Sequence, residues 1–171
     1  PWEFNVVVLE DMGQPCSPYC SDFQGGAAVG GDVYVSGFSL NDLDAAPNDV
    51  ALYAGGYVEF TGAISHGGME AAGDILLPGT SVAGSVVGGG DLDGTGSIGG
   101  DVTLAGEKIP LYPLTVGGTL TEFTPFVETV DLYVLGVYFR TVSSVVSWKM
   151  PTMVATEQWG EIHIDATQGM N

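Results

Sequence analysis

Gly89-Gly90-Asp91-Leu92 and, ten residues on, Gly99-Gly100-Asp101-Val102 are two copies of one unit: a small residue, a glycine, a polar residue, then an apolar residue. The unit recurs at Gly30-Gly31-Asp32-Val33, Gly55-Gly56-Tyr57-Val58, Ala72-Gly73-Asp74-Ile75 and Gly117-Gly118-Thr119-Leu120. Its second glycine falls at 31, 56, 73, 90, 100 and 118, giving intervals of 25, 17, 17, 10 and 18. Internal periodicity on this scale is the mark of a repeat architecture. Intervals of 17 and 18 suit one coil of a β-solenoid; the 10 reads as half a coil, and the 25 as a coil carrying an insertion.

Each unit opens a short alternating run: Val33-Tyr34-Val35, Val58-Glu59-Phe60, Val102-Thr103-Leu104 and Leu120-Thr121-Glu122-Phe123. Alternation at period two sends one set of side chains inward and the other out. One coil cannot bury its own inner face, so neighbours must stack. The glycine pairs permit close approach of stacked backbones at the corners. A Gly-rich sandwich or barrel with tight turns is the competing fold.

Residues 124–150 contain a single glycine, Gly136. Thr124-Pro125 reads as an N-cap followed by proline at the first helical position. Val127, Val130, Val134, Tyr138, Val142 and Val145 form one apolar stripe at helical spacing, and Pro151 stops it. The expectation is one long flanking α-helix over 125–149, against the strand preference of its valines. The tail adds one alternating strand, with Glu161, His163 and Asp165 on one face and Ile162 and Ile164 on the other. The fold class is therefore mainly β: a single Gly-rich β-solenoid-like domain over 1–171 with that helix alongside.

Charge narrows the function. Three Lys+Arg stand against 21 Asp+Glu, a formal net charge of −18, in a chain that is 45% hydrophobic. A surface of that sign repels phosphate backbones and anionic lipid, so nucleic acid and the membrane surface are poor partners. The most apolar run, Leu132 to Phe139, spans eight residues, which is too short to cross a bilayer. No signal peptide is visible, and a start at Pro1-Trp2 reads as a mature or trimmed product. The acidity suits solubility, high salt or a basic partner, and self-repulsion predicts better stability at moderate than at very low salt.

Phe4-Asn5-Val6-Val7-Val8-Leu9, followed by Ser21-Asp22-Phe23-Gln24-Gly25-Gly26-Ala27-Ala28-Val29-Gly30-Gly31-Asp32-Val33 and Ser36-Gly37-Phe38-Ser39, resembles the opening of the choice-of-anchor A domain. That is an adhesive, collagen-binding-type domain of secreted and surface-attached proteins. The order of elements is similar from residue 4 to about 150, with Val130-Asp131-Leu132 through Ser143 in the place of the family's helix. The resemblance implies an extracellular or cell-surface location and a role in adhesion. Two departures stand out. The Gln14–Cys20 insertion is foreign to the pattern. The chain also stops at Gly169-Met170-Asn171, where the family runs on into further strands, so an uncompleted edge is expected.

Few residues announce chemistry. Cys16 and Cys20 are three residues apart; a local disulfide is expected, free thiols are the alternative, and a metal half-site or redox pair lacks further ligands nearby. There is no G-x-S-x-G elbow and no local His-Asp-Ser spacing, so no enzyme is expected. His66, in Ser65-His66-Gly67-Gly68, reads as an exposed turn residue, and His163 as part of a solvated polar face. No cofactor is expected, with calcium as the one candidate: Asp91 and Asp93, in Asp91-Leu92-Asp93-Gly94-Thr95-Gly96, are closely spaced carboxylates beside glycines. That loop lacks the third acid of an EF-hand. Ice binding needs a regular array such as Thr-x-Thr on successive coils, and only Thr119-x-Thr121 has that spacing.

The leading expectation is a non-catalytic extracellular adhesion domain that binds matrix or cell-surface ligands. The alternative is a self-assembling subunit of a filament or surface layer, joined to copies of itself by strand or coil-end complementation. Its edge residues would be Phe4, Val6 and Val8 at one end and Ile162 and Ile164 in the tail.

Overall fold

A computed structural model describes residues 4–15, 22–41, 50–109 and 113–127, together with the backbone strands at 154–158 and 161–165. The chain divides into two compact units, Pro1–Val130 and Asp131–Asn171.

The first unit is a parallel β-solenoid of about six turns. In chain order its strands are β1 (Phe4–Val8), β2 (Asp22–Phe23), β3 (Gly26–Val29), β4 (Val33–Leu40), β5 (Val50–Ala54), β6 (Val58–Ile64), β7 (Gly68–Ala71), β8 (Ile75–Val82), β9 (Val86–Gly88), β10 (Leu92–Ile98), β11 (Val102–Leu104), β12 (Leu114–Val116) and β13 (Leu120–Thr121). Odd strands stack in one seven-stranded sheet, ordered β1-β3-β5-β7-β9-β11-β13. Even strands stack in a six-stranded sheet, ordered β12-β10-β8-β6-β4-β2. Every pairing in both sheets is parallel, as coils wound in one direction require.

The repeat intervals now have a geometric meaning. Gly30-Gly31, Gly55-Gly56, Ala72-Gly73 and Gly89-Gly90 lie at the corner leading from the odd to the even sheet. Gly99-Gly100 and Gly117-Gly118 lie at the opposite corner, which leads back. The interval of 10 is thus half a coil, and those of 17 and 18 are whole ones. The interval of 25 is one coil whose excess falls around residues 42–49, outside the described residues.

Alternation decides which side chains form the core. In β4, Val33, Val35, Phe38 and Leu40 point inward and are buried. Their in-register partners Val58 and Ile64 in β6 are buried too, as is Phe60 opposite Val35. Phe23, Phe38 and Phe60 stack edge to face down the interior, with ring centroids 5.1 and 6.1 Å apart. Burying a phenylalanine such as Phe60 contributes roughly 2–3 kcal/mol. The long even strands break step midway, between Val35 and Phe38, between Glu59 and Ala63, and between Gly94 and Gly96. At Gly62 the break needs glycine twice over: φ is +141°, and a Cβ would overlap the Phe38 backbone of the coil before.

The outward row of the odd sheet runs Val7, Ala28, Tyr53, Glu70, Val87, Thr103, Thr121 in register. Ala28, Tyr53 and Glu70 point away from the core yet are 1% exposed or less. This sheet therefore offers no open face over β3, β5 and β7.

At the C-terminal end one sequence expectation changes, and the expected helix falls almost wholly outside the described residues. Residues 125–127 of the expected helix carry no regular structure, and 128–149 lie outside the described residues. The run Leu120-Thr121-Glu122-Phe123 does not stay a strand: β13 ends at Thr121, and Phe123 turns into the left-handed region at φ +56°, 73% exposed. The second unit contains an antiparallel pair, β14 (Val154–Gln158) and β15 (Glu161–Asp165), so the tail strand is half of a hairpin.

Candidate functional site

The repeat unit is first a structural device. At the corner into the even sheet, Asp11 Oδ1 accepts the backbone N–H of Asp32 at 2.8 Å, and Asp32 Oδ1 accepts that of Tyr57 at 2.8 Å. Two coils on, Asp74 Oδ1 accepts Asp91 N–H at 2.8 Å, and Asp91 Oδ1 accepts Glu107 N–H at 2.9 Å. The opposite corner does the same with Ser85 Oγ accepting Asp101 N–H and Asp101 Oδ1 accepting Thr119 N–H, at 3.1 and 2.7 Å. Each carboxylate thus satisfies one backbone donor of the next coil.

This ladder explains both glycines. A Cβ on Gly90 would overlap the Asp74 carboxylate, and one on Gly56, Gly106 or Gly118 would meet Asp32, Asp91 or Asp101 in the same way. A Cβ on Gly89 would overlap the Ala72 carbonyl of the coil before. The first glycine makes room for stacked backbone, the second for the acid that caps the next coil. Stacked coils bring successive carboxylates to within about 5 Å, where two charges repel by about 0.8 kcal/mol in water. That is comparable to the net gain from one hydrogen bond, so the column is close to balanced until salt screens it.

One position breaks the ladder. The corner column reads Asp11, Asp32, Tyr57, Asp74, Asp91, Glu107, and Tyr57 has no carboxylate to offer Asp74. Its ring instead lies 5.6 Å from that of Tyr34 at a 44° tilt. Tyr34 donates to Asp32 Oδ2 at 3.4 Å. Burial raises the Tyr34 phenol above its ordinary value, helped by the charge and hydrogen bond of Asp32 and by Asp11 and Glu59. Burial likewise raises Tyr57, with Glu59, Tyr34, Asp74 and Asp32 adding to it. Beside Tyr57 a shallow groove opens, lined by Asp74, Ile75, Leu76, Asp91, Asp93 and Ile109.

A different surface lies on the second half of the even strands. In register across coils run Asp22, Ser39, Ala63, Ser81, Ser97 and Thr115. Beyond Asp22 the row is small and uncharged, and Ser81, Ser97 and Thr115 are exposed. Ser81 and Ser97 hydroxyls are 3.4 Å apart. Thr95 Oγ1, on the adjoining bulge, accepts Gly79 N–H at 2.8 Å. In a chain of net charge −18 this is a flat hydroxyl strip without a carboxylate for five coils.

The residues singled out from sequence fall as follows. Asp91 and Asp93 do not share a loop: Leu92–Ile98 is strand β10, held in register with β8, and Asp91 sits at its corner. Asp91 Oδ1 serves Glu107 N–H, and Asp93 Oδ1 accepts Gly94 N–H at 2.7 Å. Among the described residues no group of three or more His, Cys, Asp or Glu side chains is placed to hold a metal ion. His66 is half-buried at a corner, and its carbonyl accepts Asn41 Nδ2 at 2.8 Å. Phe4, Val6 and Val8 lie on β1, the terminal strand of the odd sheet, with Val6 and Val8 packed on the core. Ile162 and Ile164 pair with Glu157 and Ala155 in the hairpin, and His163 with Thr156. Cys16 and Cys20 lie outside the described residues.

Sequence reading overlooked two features. Tyr57 as the odd residue in an acidic column becomes visible once the units are aligned on their glycines. The hydroxyl strip has a fainter signal: Ser81, Ser97 and Thr115 each stand three residues before Gly84, Gly100 or Gly118. Ala83-Gly84-Ser85-Val86 is itself a further copy of the unit.

Among the described residues no helix is long and apolar enough to cross a membrane. No curated protein and no solved structure matches the chain. Residues 3–75 match a family model described as "Putative Ice-binding-like adhesive domain", so over the first coils of its solenoid this chain is similar to an adhesive-domain family.

Proposed function

We propose that this protein is a non-catalytic adhesion module of an extracellular or cell-surface assembly, binding matrix or cell-surface ligands. The similarity of residues 3–75 to an adhesive-domain family carries the reading. The finer identity, a choice-of-anchor A domain, rests on the N-terminal residues quoted above. The hydroxyl strip Ser39-Ala63-Ser81-Ser97-Thr115 is the surface best suited to the task. It is flat because parallel coils hold it in register, and it carries no charge to desolvate when a partner lies against it. The test is adhesion to surfaces coated with fibrillar collagen or with immobilised glycans, for the wild type and Ser97→Lys. Retention of the wild type and loss by the folded variant is expected. No retention on either surface, or equal retention of both proteins, contradicts the assignment.

A second reading, assembly with copies of itself, is favoured by one observation. Leu120 shares register with the fully buried Val102 but is 38% exposed, because no further coil of the described residues covers it. Negative-stain electron microscopy of concentrated protein distinguishes the two: regular filaments support assembly, and dispersed particles leave adhesion.

A further inference from the structure

We propose that the groove at Tyr57 is a docking site for a lysine or arginine side chain of a basic partner polypeptide. The inference is independent of the hydroxyl strip, which lies on another part of the even sheet.

Three observations converge. The first is the broken repeat. Every other corner position from Asp11 to Asp91 in that column is an aspartate, and a tyrosine there gives up a hydrogen bond to the next coil. Gly73 leaves room for an acid at 57, as Gly56 and Gly90 do for Asp32 and Asp74, so packing does not demand the tyrosine. The second is the geometry. Tyr34 and Tyr57 sit ring against ring at 5.6 Å, and the groove runs on from Tyr57 over Leu76 and Ile109. Aromatic faces and aliphatic walls suit the methylene stem of a long basic side chain, and the rings attract its charged head. The third is charge. Asp74, Asp91 and Asp93 line the groove, Glu59 stands between Tyr34 and Leu76 in register, and among the described residues no basic side chain lines it. The ladder uses Oδ1 of Asp74 and Asp91 and leaves the second oxygen of each for a ligand. Carboxylates lining a groove beside an aromatic ring complement a cation and repel an anion.

The test is a fluorescence-anisotropy titration with a labelled Gly-Lys-Gly-Lys-Gly peptide at low ionic strength. Tyr57→Asp is the decisive variant, because it restores the ladder residue while adding a negative charge. Wild type should bind, Tyr57→Phe should bind within about twofold, and Tyr57→Asp should bind about fivefold or more weakly. A peptide with acetylated lysines should not bind. If Tyr57→Asp binds as tightly as wild type, attraction is bulk charge and the site is refuted. Absence of binding by wild type, or equal binding of the acetylated peptide, refutes it too. Should Tyr57→Asp fail to fold, phenol absorbance of the wild type decides. A Gly-Arg-Gly-Arg-Gly peptide, which keeps its charge where lysine would lose it, should lower the pH at which the tyrosines ionise, because a cation beside a phenol favours phenolate, and an unchanged titration overturns the proposal.

Discussion

The corner column and the hydroxyl strip run along the same stack of coils at the same spacing, yet their side chains do opposite work. At the corner each carboxylate turns to the next coil's backbone, and its neighbour is a glycine because the carboxylate occupies the space of a Cβ. On the strip the side chains are small, Ser81, Ser97 and Thr115 are exposed, and the Ser81 and Ser97 hydroxyls approach each other. The part of the sequence that repeats most strictly therefore belongs to the stacking of coils. Surfaces free for a partner are found where the repeat is loose, on the strip, or where it is broken, at Tyr57.

Substitutions can break this contrast in graded steps. The largest effect is expected from Gly89→Ala, whose Cβ meets the Ala72 carbonyl and forces backbone apart; urea unfolding should show a loss of about 2–3 kcal/mol. Asp74→Ala removes the acceptor of Asp91 N–H, which is exposed enough to take water instead, so the same measurement should show about 1 kcal/mol. Tyr57→Asp exchanges the Tyr34 contact for a ladder bond and should leave stability within about 0.5 kcal/mol. Ser97→Ala, on the strip, should change it by less than about 0.5 kcal/mol. If Ser97→Ala costs as much as Asp74→Ala, the division between the two surfaces fails.

Solution conditions sharpen the same contrast. Carboxylates stacked about 5 Å apart predict a higher melting temperature at moderate salt than at very low salt. The two tyrosines act at alkaline pH. Their folded values lie above the ordinary 10.0, so the unfolded chain releases these protons first. Their contribution to stability is complete below about pH 10 and is lost as pH rises through the raised folded values. A melting series from pH 8 to pH 11, followed beside phenol absorbance, should show unfolding and late phenolate formation together.

The solenoid was legible because its signal is local and repeated. Glycine pairs at 17 and 18 residues and alternating valines between them leave few other folds, and the interval of 10 marked the second corner. What the glycines made room for was not legible. That Gly90 is shaped by Asp74, seventeen residues away on the coil before, is a contact between coils that no single unit displays. That Leu92–Ile98 would be a strand in register with β8, with a backbone N–H on one oxygen of Asp91 and of Asp93, was hidden for the same reason: two acids beside glycines read locally as a loop. The hydroxyl strip was hidden by the register shifts among the long even strands β4, β6, β8 and β10, which change its position relative to the preceding glycine pair.

The central claim is that the corner holds the coils together and the strip meets the partner. Melting temperature and surface adhesion, measured together on Asp74→Ala and Ser97→Lys, test it most directly. The account predicts a crossed result: Asp74→Ala melts lower and still adheres, whereas Ser97→Lys melts as the wild type does and no longer adheres. Parallel losses in both variants, or the reverse pattern, would contradict it.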